Sequence, residues 1–273
     1  MSVSAADWIG RRFLREERIT PRALAGFRAT FAGTLGPGAV PPGFHWTLVP
    51  DLADPSDLGR DGHPRTGLFL PALPLPRRMW AGGEMEFLSD FTPDDHVMRE
   101  STVADVSVKS GSTGQLGFVT LHHDWLAGGT PRLRERQDIV YREPPKPGTP
   151  APPPQAEPWQ ADAVWTVLPD PVLLLRYSAL TFNAHRIHYD LPYATGVEGY
   201  AGLVVHGPLQ AIWMLNLAAT MLGRNPARFR YRGLSPLICG GSVRVEARAD
   251  GETIALRVLT EDGVSTMQAT ATV

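Results

Sequence analysis

Apolar residues recur along this chain with two periods, and the alternation between them marks its organisation. Over VADVSV (103–108) and GFVTLHH (117–123) apolar or β-branched positions alternate with polar ones, the period of a half-buried strand. SGSTG (110–114) and AGGT (127–130) punctuate these runs as turns. Near the carboxyl terminus the pattern returns. SVRVEARA (242–249) alternates, ADGET turns, TIALRVLT (253–260) alternates, EDGVS turns again, and TMQATATV closes the chain. Each set of strands follows material of helical period. PRALAGFRATFAG (21–33) carries apolar residues at helical spacing, and GPLQAIWMLNLAATMLG (207–223) is apolar almost all round, so it predicts a buried helix. Gly207 and Pro208 suit its start and Gly223 its stop.

Between the two sets lies EPPKPGTPAPPPQAEPWQ (143–160), with eight prolines. Such a run favours extended polyproline II over helix or sheet and reads as a tether. The expected organisation is an amino-terminal unit (1–142), a linker (143–160) and a carboxyl-terminal unit (161–273). FLSDFTPDD (87–95) and RGLSPLICGG (232–241) hold corresponding places ahead of the two meanders, which implies a duplicated unit. A long buried helix followed by antiparallel strands points to an α+β fold, with a sheet wrapped around a central helix.

Composition narrows the function classes. With 26 basic and 28 acidic residues the net charge is −2, unlike the basic footprint of a nucleic-acid binder. The single cysteine, Cys239, permits no intrachain disulfide. No stretch reaches the ~18 apolar residues of a membrane span, and the first twenty residues lack a signal-type apolar run. The cytoplasm is the expected location.

The candidate chemistry lies in RYSALTFNAHRIHYDLPYATGVEGYAGLVVHGPLQ (176–210). His188 is suited to give and take a proton near neutral pH. Asn183 is placed to orient a water or the histidine. Gly207 opens the buried helix, where backbone N–H groups are free, the helix dipole is positive and a ligand can approach closely. A base facing such donors is what β-hydration of an enoyl thioester requires, with Gly207 as oxyanion hole.

Phe182-Asn183-Ala184-His185-Arg186-Ile187-His188, then Asp190, Tyr193-Ala194 and His206-Gly207, resembles the hydratase motif of the MaoC-like, or R-specific enoyl-CoA hydratase, superfamily of hotdog-fold proteins. Together with LPLPRRMWAGG (73–83), it is similar to the double-hotdog branch. That branch holds mesaconyl-C4-CoA (3-methylfumaryl-CoA) hydratases, itaconyl-CoA hydratase-like proteins and mitochondrial hydroxyacyl-thioester dehydratase. The resemblance implies two antiparallel sheets, each wrapped around a central helix. It implies an acyl tunnel between the halves, with the amino-terminal half shaping the pocket and helping to hold CoA. His188 falls on the catalytic histidine and Gly207 on the oxyanion-hole glycine. Asn183 stands where the superfamily has its catalytic Asp, and His185 where it has Asn, so proton transfer rests more on His188, with His185 or a water assisting.

The implied reaction is addition of water to a short, branched dicarboxylyl enoyl-CoA (mesaconyl-C4-CoA or itaconyl-CoA, giving citramalyl-CoA). Arg77, Arg78 and Arg186 are candidates for a phosphate or the substrate carboxylate. His206 and Tyr193 are further pocket candidates, His206 reading first as a hydrogen-bonded structural histidine and Tyr193 as a packing residue. No metal or redox cofactor is implied, CoA entering as part of the substrate. A homodimer is left open. The alternatives are a 3-hydroxyacyl-thioester dehydratase of fatty-acid metabolism, a thioesterase, and a non-catalytic acyl-CoA-binding subunit. His122, His123 and Asp124, at the end of a strand, read as a solvated edge.

Overall fold

The computed structural model describes residues 5–111, 114–143 and 157–273. Most of the proline-rich linker, 144–156, lies outside the described residues.

The amino-terminal half contributes β1 (Arg12–Arg18), α1 (Pro21–Thr30), β2 (Arg77–Phe87), β3 (His96–Gly111), β4 (Gly114–Ala127) and β5 (Thr130–Arg142). The carboxyl-terminal half contributes β6 (Ala163–Val167), α2 (Pro171–Leu180), α3 (Leu191–Gly196), α4 (Gly207–Leu222), β7 (Arg228–Gly233), β8 (Val243–Asp250), β9 (Thr253–Thr260) and β10 (Ser265–Thr272). The helix starts follow one local rule. Thr20, Asp170 and Asp190 each accept a backbone N–H of the first turn of α1, α2 and α3, and each helix has proline in its first two positions. Gly223, at φ +70°, ends α4.

The strand order is β1-β3-β4-β5-β2-β7-β10-β9-β8-β6. Read inward from each edge, the first five strands and the last five follow the same order, so the topology repeats. The expectation of two separate sheets needs correction, because the ten strands form one continuous antiparallel sheet. β2 and β7 join the halves, with Gly82 opposite Arg232, Glu84 opposite Arg230 and Met85 opposite Phe229. Each half alone would leave that edge with unpaired N–H and C=O groups, and pairing them with the other half satisfies both.

The central helices are unequal too. α4 is buried from Leu209 to Ala219 and packs on β8, β9 and β10. Residues 35–50 of the first half, LGPGAVPPGFHWTLVP, are too rich in glycine and proline for a regular helix, and a single 3-10 turn, Phe44–Thr47, forms there. One core nevertheless spans both halves, joining Phe27, Phe44 and Trp125 to Trp213 and Phe229. Asn216, fully buried in α4, accepts from Gly36 N–H and donates to the Pro42 carbonyl, tying that segment to the helix. Among the described residues no helix is long and apolar enough to cross a membrane.

Candidate active site

The segment between α2 and α4 is built from short capped turns. α2 ends at Leu180, and Phe182 takes a positive φ of 49°. The Asn183 side-chain oxygen accepts the His185 backbone N–H at 2.9 Å, leaving its amide NH2 unspent in that turn. A 3-10 turn, Arg186–His188, swings the histidine inward, and Asp190 then caps α3. The chain returns through Val204, whose carbonyl lies 2.7 Å from His188 Nδ1, and reaches His206 and Gly207 at the start of α4.

His188 is buried. Because the Val204 carbonyl can only accept, Nδ1 carries the hydrogen and Nε2 keeps its lone pair. Burial lowers the His188 pKa to about 3, outweighing the carbonyl contact that favours the cation. The ring is therefore neutral at pH 7. It stacks on His206 with centroids 3.5 Å apart, and His185 meets its edge at 5.2 Å. Burial, then the neighbouring histidines, also depresses His206, and burial foremost depresses His185. His206 Nε2 is 2.9 Å from Ser178 Oγ, and its Nδ1 has no hydrogen-bond partner among the described residues.

These groups line a cavity of about 750 Å³ that both halves enclose. Asn183, His185, His188, His206 and Gly207 all reach it. An added Cβ at Gly207 would meet no protein atom nearer than 3.7 Å, so packing alone does not call for glycine there. The opening leaves the helix start accessible, with Gly207 N–H available and Pro208 contributing none.

The other expected residues are divided. Arg78 lines the cavity, donates to the Pro64 carbonyl at 2.8 Å, and has no carboxylate in ion-pair range among the described residues. Arg77 also borders it, but its guanidinium is spent on buried Glu198, 2.7 Å away. Tyr193 gives its hydroxyl to the same Glu198 at 2.9 Å and sits outside the cavity lining. Arg186 likewise lies outside it, paired with Asp190 at 2.7 Å and stacked over Tyr193.

A loop of the amino-terminal half completes the wall. Asp61 Oδ2 accepts from His63 Nδ1 at 3.0 Å, and the His63 ring lies 4.1 Å from that of His185. Gly62 makes this approach possible: its φ is +88°, and a side chain there would overlap the Ala184 carbonyl. The Asp61 carbonyl accepts the Arg186 N–H at 2.8 Å, pinning the loop to the segment that carries His185 and His188. Asp61, His63 and His185 bring ligand-type atoms within 4.8 Å of one another. Within the trio, Asp61 Oδ2 and His63 Nδ1 are joined by their own hydrogen bond.

A family model for hydroxyacyl-thioester dehydratase type 2 matches residues 43–239. The chain belongs to the hydroxyacyl-thioester dehydratase type 2 family. It is 42% identical to the mesaconyl-C(4)-CoA hydratase of Chloroflexus aurantiacus, over 98% of each chain. Among solved structures it resembles HtdX of Mycobacterium tuberculosis, with a TM-score of 0.69 and 18% identity over 95% of this chain and 98% of that one. It also resembles a second M. tuberculosis protein described as a double hotdog fold, with a TM-score of 0.54 and 16% identity over 97% and 96%. These likenesses show the hotdog fold.

Within this family member, two features escaped the sequence reading. Asp61 and His63 sit in a loop without periodicity, some 120 residues from His185, and a DGH tripeptide alone gives no sign of its partner. His123 is not a solvated edge residue. It is buried between Ser101 Oγ at 2.7 Å and Gln137 Oε1 at 3.0 Å. Beside it, Glu135 accepts from the indole N–H groups of Trp46 and Trp125. Burial raises the Glu135 pKa, but His45, His123 and the Trp46 bond outweigh it and hold it at about 2.

Proposed function

We propose that this protein is a hydro-lyase that adds water to a short, branched dicarboxylyl enoyl-CoA, mesaconyl-C4-CoA or itaconyl-CoA, giving citramalyl-CoA. The observation that carries the reading is the tautomer of His188, fixed by the Val204 carbonyl so that Nε2 is an acceptor in the same cavity as the Gly207 helix start. His188 Nε2 takes a proton from water as its oxygen bonds Cβ. The C=C pair moves into the thioester, whose oxygen gains charge against the Gly207 N–H, and a proton then arrives at Cα. The Asn183 amide, with N–H groups unspent, orients the water. Arg78, with no carboxylate in ion-pair range among the described residues, faces the substrate carboxylate. The 42% identity to a mesaconyl-C(4)-CoA hydratase supports this substrate class.

The reading calls for no metal or redox cofactor, since side chains and the helix start supply the proton and the charge stabilisation. CoA enters as part of the substrate, in keeping with the expected cytoplasmic location. One chain supplies both halves of the cavity, so no homodimer partner is needed to complete it. Dehydration of a 3-hydroxyacyl thioester is the same chemistry reversed, and chain length separates the two assignments.

The test is hydration of mesaconyl-C4-CoA, itaconyl-CoA, crotonyl-CoA and a longer enoyl-CoA, followed by loss of enoyl-thioester absorbance with products identified by mass. Preference for a dicarboxylyl substrate is expected. Preference for crotonyl-CoA or longer chains would move the enzyme to fatty-acid metabolism. Release of free CoA would make it a thioesterase, and binding without turnover a carrier of acyl-CoA.

A further inference from the structure

We propose that His63, held by Asp61, is a second catalytic proton-transfer group, supplied by the amino-terminal half in place of the carboxylate that Asn183 lacks. The inference rests on the hydratase reading and names a residue for the unassigned step, protonation of Cα.

The argument starts from an imbalance. His188 is tied to a neutral carbonyl, and no carboxylate lies in ion-pair range of it among the described residues. A proton taken from water would sit there on a buried, uncompensated cation. His63 differs in one respect that decides the matter, because its Nδ1 is 3.0 Å from the Asp61 carboxylate. The carboxylate accepts, so Nδ1 carries the hydrogen and Nε2 is open to a second proton, whose charge Asp61 offsets against burial and the nearby Arg78 guanidinium. Asp61 also accepts the His63 backbone N–H at 3.1 Å, so carboxylate and ring are held together. The Arg186 N–H and the close fit of Gly62 over Ala184 fix the pair against the catalytic segment. His63, His185 and His188 form a continuous line of rings, with centroid spacings of 4.1 and 5.2 Å, and all three line the cavity.

The steps balance as follows. His188 Nε2 takes a proton from water as the O–Cβ bond forms, and the C=C pair shifts into the thioester enolate. His188 releases that proton to water in the cavity, and His63 Nε2 takes one up from the same water. The imidazolium there is stabilised by Asp61. His63 then delivers the proton to Cα as the enolate collapses to the thioester, and every histidine ends neutral. Asp61 is a positioning residue in this scheme.

The experiment measures kcat and KM of the whole protein and of His63→Gln, His63→Gly, Asp61→Asn and Asp61→Glu, with melting temperature as the control for folding. His63→Gln and Asp61→Asn are expected to lower kcat on the order of 100-fold with KM within about twofold. Asp61→Glu should retain more activity than Asp61→Asn, and added imidazole should restore part of the activity of His63→Gly. A His63→Gln enzyme within about threefold of wild type overturns the proposal. So does activity that falls only in step with melting temperature. Wild-type activity abolished by a chelator and restored by zinc also overturns it, making the trio a metal centre. An inactive wild-type protein would sink the hydratase reading and this proposal together, whereas an active wild type with an equally active His63→Gln sinks this proposal alone.

Discussion

The Nδ1 of His188 stands 2.7 Å from the carbonyl oxygen of Val204, sixteen residues later in the chain. This one contact sets which nitrogen of the histidine is protonated and therefore which is free to act. Replacing His188 by Gln keeps a side-chain N–H for Val204 but removes the basic nitrogen. His188→Gln is expected to lower kcat by about 10²–10⁴-fold with a small change in KM, checked by steady-state hydration kinetics.

Arg77 and Arg78 are neighbours in sequence with opposite expected behaviour. Arg78→Met should raise KM for a dicarboxylyl enoyl-CoA by roughly tenfold or more and leave crotonyl-CoA nearly unchanged, since it removes a cavity cation that has no direct ion pair among the described residues. Arg77→Met should instead destabilise the protein by about 3 kcal/mol, because it removes the buried cation from Glu198 and leaves only the exposed Arg60, at 3.6 Å, and the Tyr193 hydroxyl. Side-by-side melting curves and substrate profiles test the contrast.

Gly62 and Gly199 both have positive φ, +88° and +73°. A side chain on Gly199 meets open space, and one on Gly62 meets the Ala184 carbonyl. Gly199→Ala should therefore cost only the left-handed backbone penalty of about 1–2 kcal/mol. Gly62→Ala should cost more and reduce activity as well, because the loop carrying Asp61 and His63 must withdraw. Equal losses from the two substitutions in thermal denaturation would contradict this.

Acid should loosen the fold as soon as the histidines of the unfolded chain begin to bind protons. The pKa values of His63, His123, His185, His188 and His206 are lowered, burial being the largest cause in each, and that of His188 to about 3. Below pH about 6.5 the unfolded chain binds more protons at these positions than the folded chain does. Stability thus falls as pH drops, by up to about 1.4 kcal/mol per pH unit for each histidine. Melting temperature should decrease steadily from pH 7 to 5, and His188→Gln should reduce the slope. The lowered carboxylates, Glu135 among them, act only further down, where stability is lost below about pH 4.5.

What the sequence alone determined is local. The alternating runs became β8, β9 and β10 to within one or two residues, and the apolar segment from Gly207 became α4, because periodicity and caps act over a few residues. The grouping of the cavity's histidines was legible for the same reason: Asn183, His185, His188, His206 and Gly207 share one stretch of chain and one cavity. The tertiary structure decided the rest. The fusion of two sheets through β2 and β7 depends on which strand edges meet, which no residue in either strand announces. The pairing of Arg77 with Glu198, and of Arg186 with Asp190, separated them from Arg78, although all three arginines look alike in sequence. The approach of Asp61 and His63 to His185 is a contact between distant segments, made possible by the absence of a side chain on Gly62. Contacts of this kind arise from packing two halves over one cavity, and their energy appears only when the halves are together.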